Sequence, residues 1–125
     1  MKARTILLVH PGTDVRQIFR AALEHAGYQV LDTWDGDDAV MLLAKHHCDA
    51  VVTDLFVESV GEPCLLKRVR ADAEQGSVPV LVVTALSLPR YRAMASACGA
   101  TEFLSLPVQP REMVNAVHRH AGGAT

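Results

Sequence analysis

Five short apolar runs alternate with segments of helical periodicity along the chain, and this alternation constrains the fold more than any other feature. Apolar runs of this length are typical of strands that are buried on both faces. The run 50–54 ends on the carboxylate of Asp54, and the run 78–84 is apolar on both faces, as a central strand would be. The other strands are predicted at 5–9, 28–31 and 101–105.

The intervening segments carry helix signals. Thr13 is the predicted N-cap of the first helix, in which Ile18 faces inward and Arg16 faces solvent. Pro63 is predicted at the first helical position of the third helix, because proline is tolerated there. The helices are predicted to begin near 13, 36, 63, 87 and 110, and the first, second and fourth to end near Gly27, His47 and Gly99.

Strand-then-helix repeats with short connections predict a parallel sheet that is covered by helices on both faces. The expected fold class is α/β, a flavodoxin-like (βα)5 doubly wound sheet with strand order 2-1-3-4-5, in a single domain over residues 1–120. Residues 121–125 are small and are predicted to form a flexible tail or the start of a linker. In this topology His10 and Asp54 lie beside each other at the crevice, and Thr84 and Leu106 form its other walls.

Composition excludes several classes of protein. The chain of 125 residues is half hydrophobic with a net charge of −2, which suits a globular domain and gives no signal for nucleic acid. Its three cysteines, at 48, 64 and 98, lack metal-ligand spacing and fit reduced thiols. The apolar run 6–9 is too short for a signal peptide core or a membrane span. We therefore expect a soluble cytoplasmic protein.

Several short motifs occur together in one order. A Gly-Tyr-x-Val strand, Asp-Gly before the second helix, a third strand ending in Asp54, Thr84-Ala85 after Pro-Val, and Gly-Ala-x-x-Phe-Leu before Leu106-Pro107 all lie at matching positions. Over nearly its full length the chain resembles the receiver domain of two-component response regulators. The resemblance implies that Asp54 accepts a phosphoryl group from a histidine kinase or a phosphotransfer protein. It also implies that the chain is a signalling domain and not an enzyme.

The resemblance also implies a fuller site than this chain has. The family holds Mg²⁺ with two acids after the first strand, and it contacts the phosphoryl group with a hydroxyl after the fourth strand and a lysine after the fifth. Here His10 and Pro11 align with the acids and Leu106 with the lysine, whereas Asp54 and Thr84 are kept. Mg²⁺ prefers hard oxygen ligands, so we expect no bound cofactor and doubt the Mg²⁺ site.

Three functions remain open. The first is an atypical receiver that acts through protein–protein interaction, because losing the metal and the lysine removes most of what stabilises phosphoryl transfer. The second is a receiver that is still phosphorylated on Asp54. The third is a small-ligand-binding flavodoxin-like domain, which the lack of a Gly-rich phosphate loop after the first strand disfavours. As a metal pair, His10 and Asp54 are weak candidates, since two ligands rarely make a site. A pH-sensitive ion pair between them is the other reading.

Secondary features follow from the same resemblance. Phe103 aligns with a switching aromatic, and Leu106-Pro107 with a cis peptide bond that shapes the loop. Gly61 and Glu62 predict altered geometry in the loop after Asp54, where Glu58 is expected to be solvated. The face formed by helix 4, strand 5 and helix 5 is the expected signalling surface, suited to a homodimer or a docked partner through its mixed charges. Its charged residues are Arg90, Arg92, Glu102, Arg111 and Arg119.

Overall fold

A computed structural model describes residues 2–57 and 65–125. Its strands and helices alternate through the described residues. The strands are β1 Thr5–Val9, β2 Gln29–Thr33, β3 Ala50–Thr53, β4 Val80–Thr84 and β5 Glu102–Ser105. The helices are α1 Thr13–His25, α2 Gly36–Lys45, α3 Leu65–Arg70, α4 Pro89–Ala97 and α5 Pro110–Ala121. The predictions for Glu58, Gly61, Glu62, Pro63 and Cys64 lie outside the described residues.

The five strands form one parallel sheet in the order β2-β1-β3-β4-β5, which confirms the predicted fold class and strand order. β1 pairs with both β2 and β3, so Val9 lies beside Thr33 on one side and Thr53 on the other. All strands point the same way, and the loops that follow them therefore share one edge of the sheet. That carboxyl edge carries His10, Asp54 and Ala85.

Each face of the sheet has its own hydrophobic core, as expected for a sheet buried on both sides. One core joins inward residues of α1 and α5 to β-strand residues such as Leu8 and Leu81. The other joins α2, α3 and α4 to strand residues such as Leu7 and Val82. Alternate residues of β1 and β4 therefore serve opposite cores.

Some local predictions for the first helix are wrong. Gly12, not Thr13, is the N-cap of α1. Ile18 is 53% exposed instead of inward, because α1 turns Phe19 and Leu23 to the sheet. Arg16 does not face solvent: its side chain is only 14% exposed and pairs with Asp32 of β2 at 3.2 Å.

The residues after α5 are in contact with the start of the chain. Arg4 donates its backbone N–H to the carbonyl of Ala124 at 2.6 Å and its guanidinium to that of Gly123 at 2.5 Å. The hydroxyl of Tyr28 donates to the carbonyl of Gly122 at 2.6 Å. Residues 121–124 are partly buried, and Ala124 packs against the α1–α5 core. The division at residue 120 stays a prediction.

The helices of this chain are short for a membrane protein, α1 being the longest described at 13 residues. A span of the hydrocarbon core needs about 20 apolar residues. Among residues 2–57 and 65–125, none of the helices combines the length and hydropathy that a membrane crossing requires.

Candidate functional site

The candidate site lies where β1 and β3 end side by side. The N–H of Asp54 donates to the carbonyl of Val9 at 3.1 Å, and the N–H of His10 donates to the carbonyl of Thr33 at 3.1 Å. These two bonds extend the sheet ladder by one residue past the strands. The prediction that His10 and Asp54 are neighbours is confirmed, since Nε2 of His10 lies 3.6 Å from Oδ2 of Asp54.

The carboxylate of Asp54 is held from one side. Oδ1 of Asp54 accepts the N–H of Leu55 at 2.7 Å. The backbone carbonyl of Asp54 accepts the hydroxyl of Thr53 at 2.9 Å. The side chain is 18% exposed, so solvent reaches part of it. With Oδ1 engaged by the backbone, Oδ2 is the oxygen that faces His10.

The imidazole of His10 is almost completely buried, with 6% of the residue exposed. Burial lowers the pKa of His10 below its ordinary value of 6.5, and the charge of Asp54 opposes that shift. The ring is therefore mainly neutral near pH 7. Among the described residues, Nε2 has no hydrogen-bond partner. Leaving a buried polar group without a hydrogen bond lowers the stability of a protein by about 1–3 kcal/mol. The position of Nε2 toward the Asp54 carboxylate is therefore kept at a cost in stability.

Gly12 fixes the orientation of that ring. Its N–H donates to Nδ1 of His10 at 2.9 Å. A Cβ at Gly12 would lie 3.2 Å from Nδ1 and 3.3 Å from Cε1 of the imidazole, closer than carbon atoms normally approach. The backbone of Gly12 therefore passes close beside the ring and leaves no room for a larger residue unless the ring moves.

The residues present do not fit the Mg²⁺ ion of the family that the sequence resembles. Pro11 is exposed and has no side-chain oxygen, and His10 presents a nitrogen where a hard cation needs oxygen. The nearby Asp32 is engaged by Arg16 and Arg20. Across the described ranges, no three metal-ligating side chains come together as a potential ion site.

Thr84 and Leu106 stand at the ends of β4 and β5, and the N–H of Leu106 donates to the carbonyl of Thr84 at 2.8 Å. The side chain of Thr84 is buried, and its hydroxyl accepts the N–H of Leu86 at 3.2 Å. The Leu106–Pro107 peptide bond is cis. The side chain of Leu106 carries no charge. The residue instead lines an apolar groove of about 540 Å³ with Val15, Ile18, Phe19, Ala85, Pro107, Val108 and Pro110.

Phe103 lies two strands away from Asp54 across the sheet, half-buried on β5 beside Val82 of β4. The guanidinium of Arg92 lies 4.6 Å from the centre of its ring, and that of Arg90 lies 4.8 Å from the ring of Tyr91. Such stacking holds both arginines on the surface of α4.

The carboxylate of Glu102 lies next to this surface and is also paired. It accepts from Arg119 at 2.6 Å and lies 2.7 Å from Nε2 of His120. The predicted signalling face therefore combines arginines that lie on aromatic rings with a paired acid on β5.

Sequence reasoning missed the residues that hold His10 in place. Arg16 donates to the carbonyl of His10 at 2.7 Å, and Gly12 donates to its ring. Arg16 lies on the polar stripe of α1, so its periodicity alone indicates solvent exposure. A glycine two residues after a histidine at a strand end was the available signal for the second contact.

Two curated proteins illustrate the relationship of this chain to known sequences. The phosphate regulon transcriptional regulatory protein PhoB of Pseudomonas aeruginosa is 26% identical over 125 residues, covering 98% of this chain and 55% of that protein. The polar-differentiation response regulator DivK of Brucella ovis is 23% identical over 121 residues, covering 97% of this chain and 98% of that protein. The chain thus spans about half the length of PhoB and of similar relatives.

Solved structures show the same fold. The chemotaxis protein CheY4 of Vibrio cholerae superimposes with a TM-score of 0.85 at 26% identity, over 94% of this chain and 98% of that one. The receiver domain of the sensor histidine kinase PA1611 of Pseudomonas aeruginosa, with a magnesium ion coordinated in its active-site cleft, gives a TM-score of 0.86 at 25% identity. That match covers 97% of this chain and 99% of the other. The family model of the response regulator receiver domain matches residues 6–118.

Proposed function

The chain belongs to the response regulator receiver domain family, and we propose that it is an atypical receiver that acts through protein–protein contacts without Mg²⁺-dependent phosphorylation. Family membership makes it a receiver domain of two-component signalling. One observation supports the atypical mode: Oδ2 of Asp54 faces a buried imidazole at 3.6 Å, where a cation site needs carboxylate oxygens.

The charges around Asp54 explain why phosphorylation would be inefficient. Phosphoryl transfer depends on positioning and on neutralising the charge of the transferred group. Leu106 offers an apolar side chain where the family has a lysine, and Pro11 offers no charge. His10 is mainly neutral near pH 7 because burial lowers its pKa. Positions 10, 11 and 106 would therefore supply neither a Mg²⁺ ligand of the family's kind nor a fixed cation to a phosphoryl group on Asp54.

The experiment is intact-mass spectrometry after incubation with a small acyl phosphate, with and without Mg²⁺. We expect no phosphoryl adduct on the wild-type chain, whose folded state is checked by circular dichroism. An established receiver treated in parallel shows that the donor is active. A Mg²⁺-dependent adduct that disappears in Asp54→Asn would overturn the proposal and support the second candidate, a receiver still switched by phosphorylation.

The second candidate has one specific observation in its favour. Asp54 retains a partly exposed carboxylate, and Thr84 remains at the end of the neighbouring strand β4. Of the family's metal- and phosphoryl-binding positions, these are the two kept in this chain. In the same mass experiment, an adduct that forms without Mg²⁺ would support a metal-independent version of this candidate.

We further propose that the partner is a histidine kinase, a phosphotransfer protein or another signalling protein in the cytoplasm. Cys48 and Cys98 are free thiols, which suits a reducing compartment. The proposed contact face is the surface of α4, β5 and α5, because Arg90 and Arg92 are held on aromatic rings there. A homodimer formed through this face is one proposed arrangement.

Arg92→Glu changes this face, and Lys45→Glu changes an exposed position on α2, which packs over β1 and β2. If the chain forms a homodimer through α4, β5 and α5, Arg92→Glu weakens it at least tenfold in sedimentation velocity. An unchanged dimer in Arg92→Glu, or one weakened equally by Lys45→Glu, would place the interface elsewhere. A wild-type chain that stays monomeric would rule out the homodimer arrangement.

A further inference from the structure

Hydrogen bonds hold both the backbone and one ring nitrogen of His10. The backbone N–H of His10 donates to the carbonyl of Thr33 at 3.1 Å, its backbone carbonyl accepts the guanidinium of Arg16 at 2.7 Å, and Nδ1 of its ring accepts the N–H of Gly12 at 2.9 Å. Only 8% of the side chain is exposed. Turning the buried imidazole away from this orientation would break its bond to Gly12.

The bond from Gly12 determines where the proton of the ring sits. A nitrogen that accepts an N–H must present a lone pair, so the proton of the neutral imidazole is on Nε2. Nε2 is the buried atom without a hydrogen-bond partner among the described residues, and it points at Oδ2 of Asp54. His10 therefore presents an N–H group, and not a lone pair, to the carboxylate.

This tautomer opposes metal binding. A histidine ligand must offer a lone pair to the metal, and its other nitrogen normally carries the proton. For Nε2 of His10 to bind a metal, the proton would have to move to Nδ1, where it would meet the N–H of Gly12. Metal binding would thus cost the bond that positions the ring.

We propose that His10 is a built-in hydrogen-bond donor that takes the place of the divalent cation at Asp54 and suppresses the reactivity of Oδ2. The separation of 3.6 Å is slightly longer than a hydrogen bond, so the bond that we propose requires a small displacement of the Asp54 side chain toward Nε2. Leu55 holds Oδ1, so among the described residues the oxygen that faces His10 is the one left to react. This inference rests on the proposed function.

The first test reads the tautomer directly. Long-range ¹H–¹⁵N spectra of the wild-type chain separate protonated from unprotonated imidazole nitrogens, and His10→Gln assigns the His10 signals. We expect Nε2 protonated and Nδ1 unprotonated at pH 7.5, with no change of the His10 signals when Mg²⁺ or Zn²⁺ is added. A proton on Nδ1, or a His10 shift that saturates with either metal, would overturn the inference.

The second test restores oxygen ligands and uses a matched control. His10→Asp with Pro11→Asp removes the N–H donor and adds two carboxylates, whereas Pro11→Asp alone adds one carboxylate and keeps the donor. In the reaction, Oδ2 of Asp54 attacks the phosphorus of an acyl phosphate, and the bond from phosphorus to the acyl oxygen breaks. The departing carboxylate keeps that electron pair.

We expect the double variant to form at least tenfold more Mg²⁺-dependent adduct than Pro11→Asp, as measured by intact mass. Equal adduct in both variants would overturn the inference and leave the proposed function standing, provided the wild-type chain forms none. An adduct on the wild-type chain would instead contradict the proposed function. In that case the ratio of adduct between the double variant and Pro11→Asp would still test the role of His10. If the double variant fails to fold, the tautomer measurement on the wild-type chain decides.

Discussion

Nε2 of His10 lies 3.6 Å from Oδ2 of Asp54, in a pocket where the imidazole is buried and the carboxylate is partly exposed. The two residues follow neighbouring strands, and the sheet bonds at Val9 and Thr33 hold their backbones in place. A neutral, oriented imidazole beside a carboxylate makes this edge of the sheet sensitive to substitution and to pH.

Acidification is expected to destabilise the protein through His10. Its pKa in the folded state is lowered by burial, so the unfolded chain binds a proton that the folded chain does not. The stabilising contribution is complete above the unfolded pKa of about 6.5 and is lost as the pH falls below it. Urea unfolding between about pH 5 and pH 7.5 measures this, and His10→Gln should show a shallower loss. Parallel pH profiles of the two proteins would contradict the prediction.

Asp54→Asn provides a check on the same group. The charge of Asp54 raises the pKa of His10 against the effect of burial, so removing it should lower the pKa of His10 further. A ¹H NMR titration of the imidazole would show this as a lower midpoint than in the wild-type chain. A higher midpoint would mean that the carboxylate does not act on the ring.

Gly12→Ala is expected to destabilise the protein by about 1 kcal/mol, because the new methyl group crowds the His10 ring. The backbone at Gly12 has a φ of −77°, which alanine adopts freely, so the cost comes from the contact with the ring. The same change in a His10→Ala background should cost nothing or stabilise slightly. A double-mutant cycle from urea unfolding measures the difference, and equal costs in both backgrounds would show that the ring is not the cause.

Arg70→Lys is expected to lower the free energy of unfolding by about 2 kcal/mol. The guanidinium of Arg70 donates to the carbonyls of Gly76, Val78 and Gly99, and a lysine ammonium cannot reach all three. Arg111→Lys, at an exposed position, is the matched control and should be nearly neutral. Unfolding in guanidinium chloride measures the free energy of unfolding of both variants. Equal losses in the two variants would contradict the role given to Arg70.

Tyr28→Phe is expected to loosen the residues that follow α5. The hydroxyl of Tyr28 donates to Gly122 at 2.6 Å, and losing such a bond costs about 1 kcal/mol. Hydrogen exchange of the backbone amides at 122–124 should speed up, while the core strands stay protected. Tyr91→Phe removes a hydroxyl from the other side of the molecule and should leave these amides unchanged. Unchanged exchange in Tyr28→Phe would show that this bond does not hold the segment.

Cys48 is expected to resist alkylation in the folded protein. Burial, with a smaller effect of Asp49, raises the pKa of its thiol to about 11, and the thiolate is the reactive form. At pH 8 about one molecule in a thousand would carry that thiolate. Cys98 is partly exposed and should react faster with iodoacetamide, as peptide mapping would show. Faster labelling of Cys48 than of Cys98 would contradict the prediction.

The sequence by itself determined the sheet and the position of Asp54. Apolar runs such as 50–54 and 80–84 have no solvated face, so they must form central strands, and helices of the spacing seen here must cover them. The parallel arrangement then brings His10, Asp54 and Thr84 to one edge. The absence of acids at His10 and Pro11 is also visible in the printed residues.

Only the tertiary structure decided how those residues meet. The tautomer of His10 depends on the N–H of Gly12, and the buried position of Arg16 depends on Asp32 of the neighbouring strand. The contact of Gly122 with Tyr28 joins positions 94 residues apart in the chain. Periodicity reports which side of one element is apolar, whereas these contacts arise between elements whose distance and orientation the packed cores set.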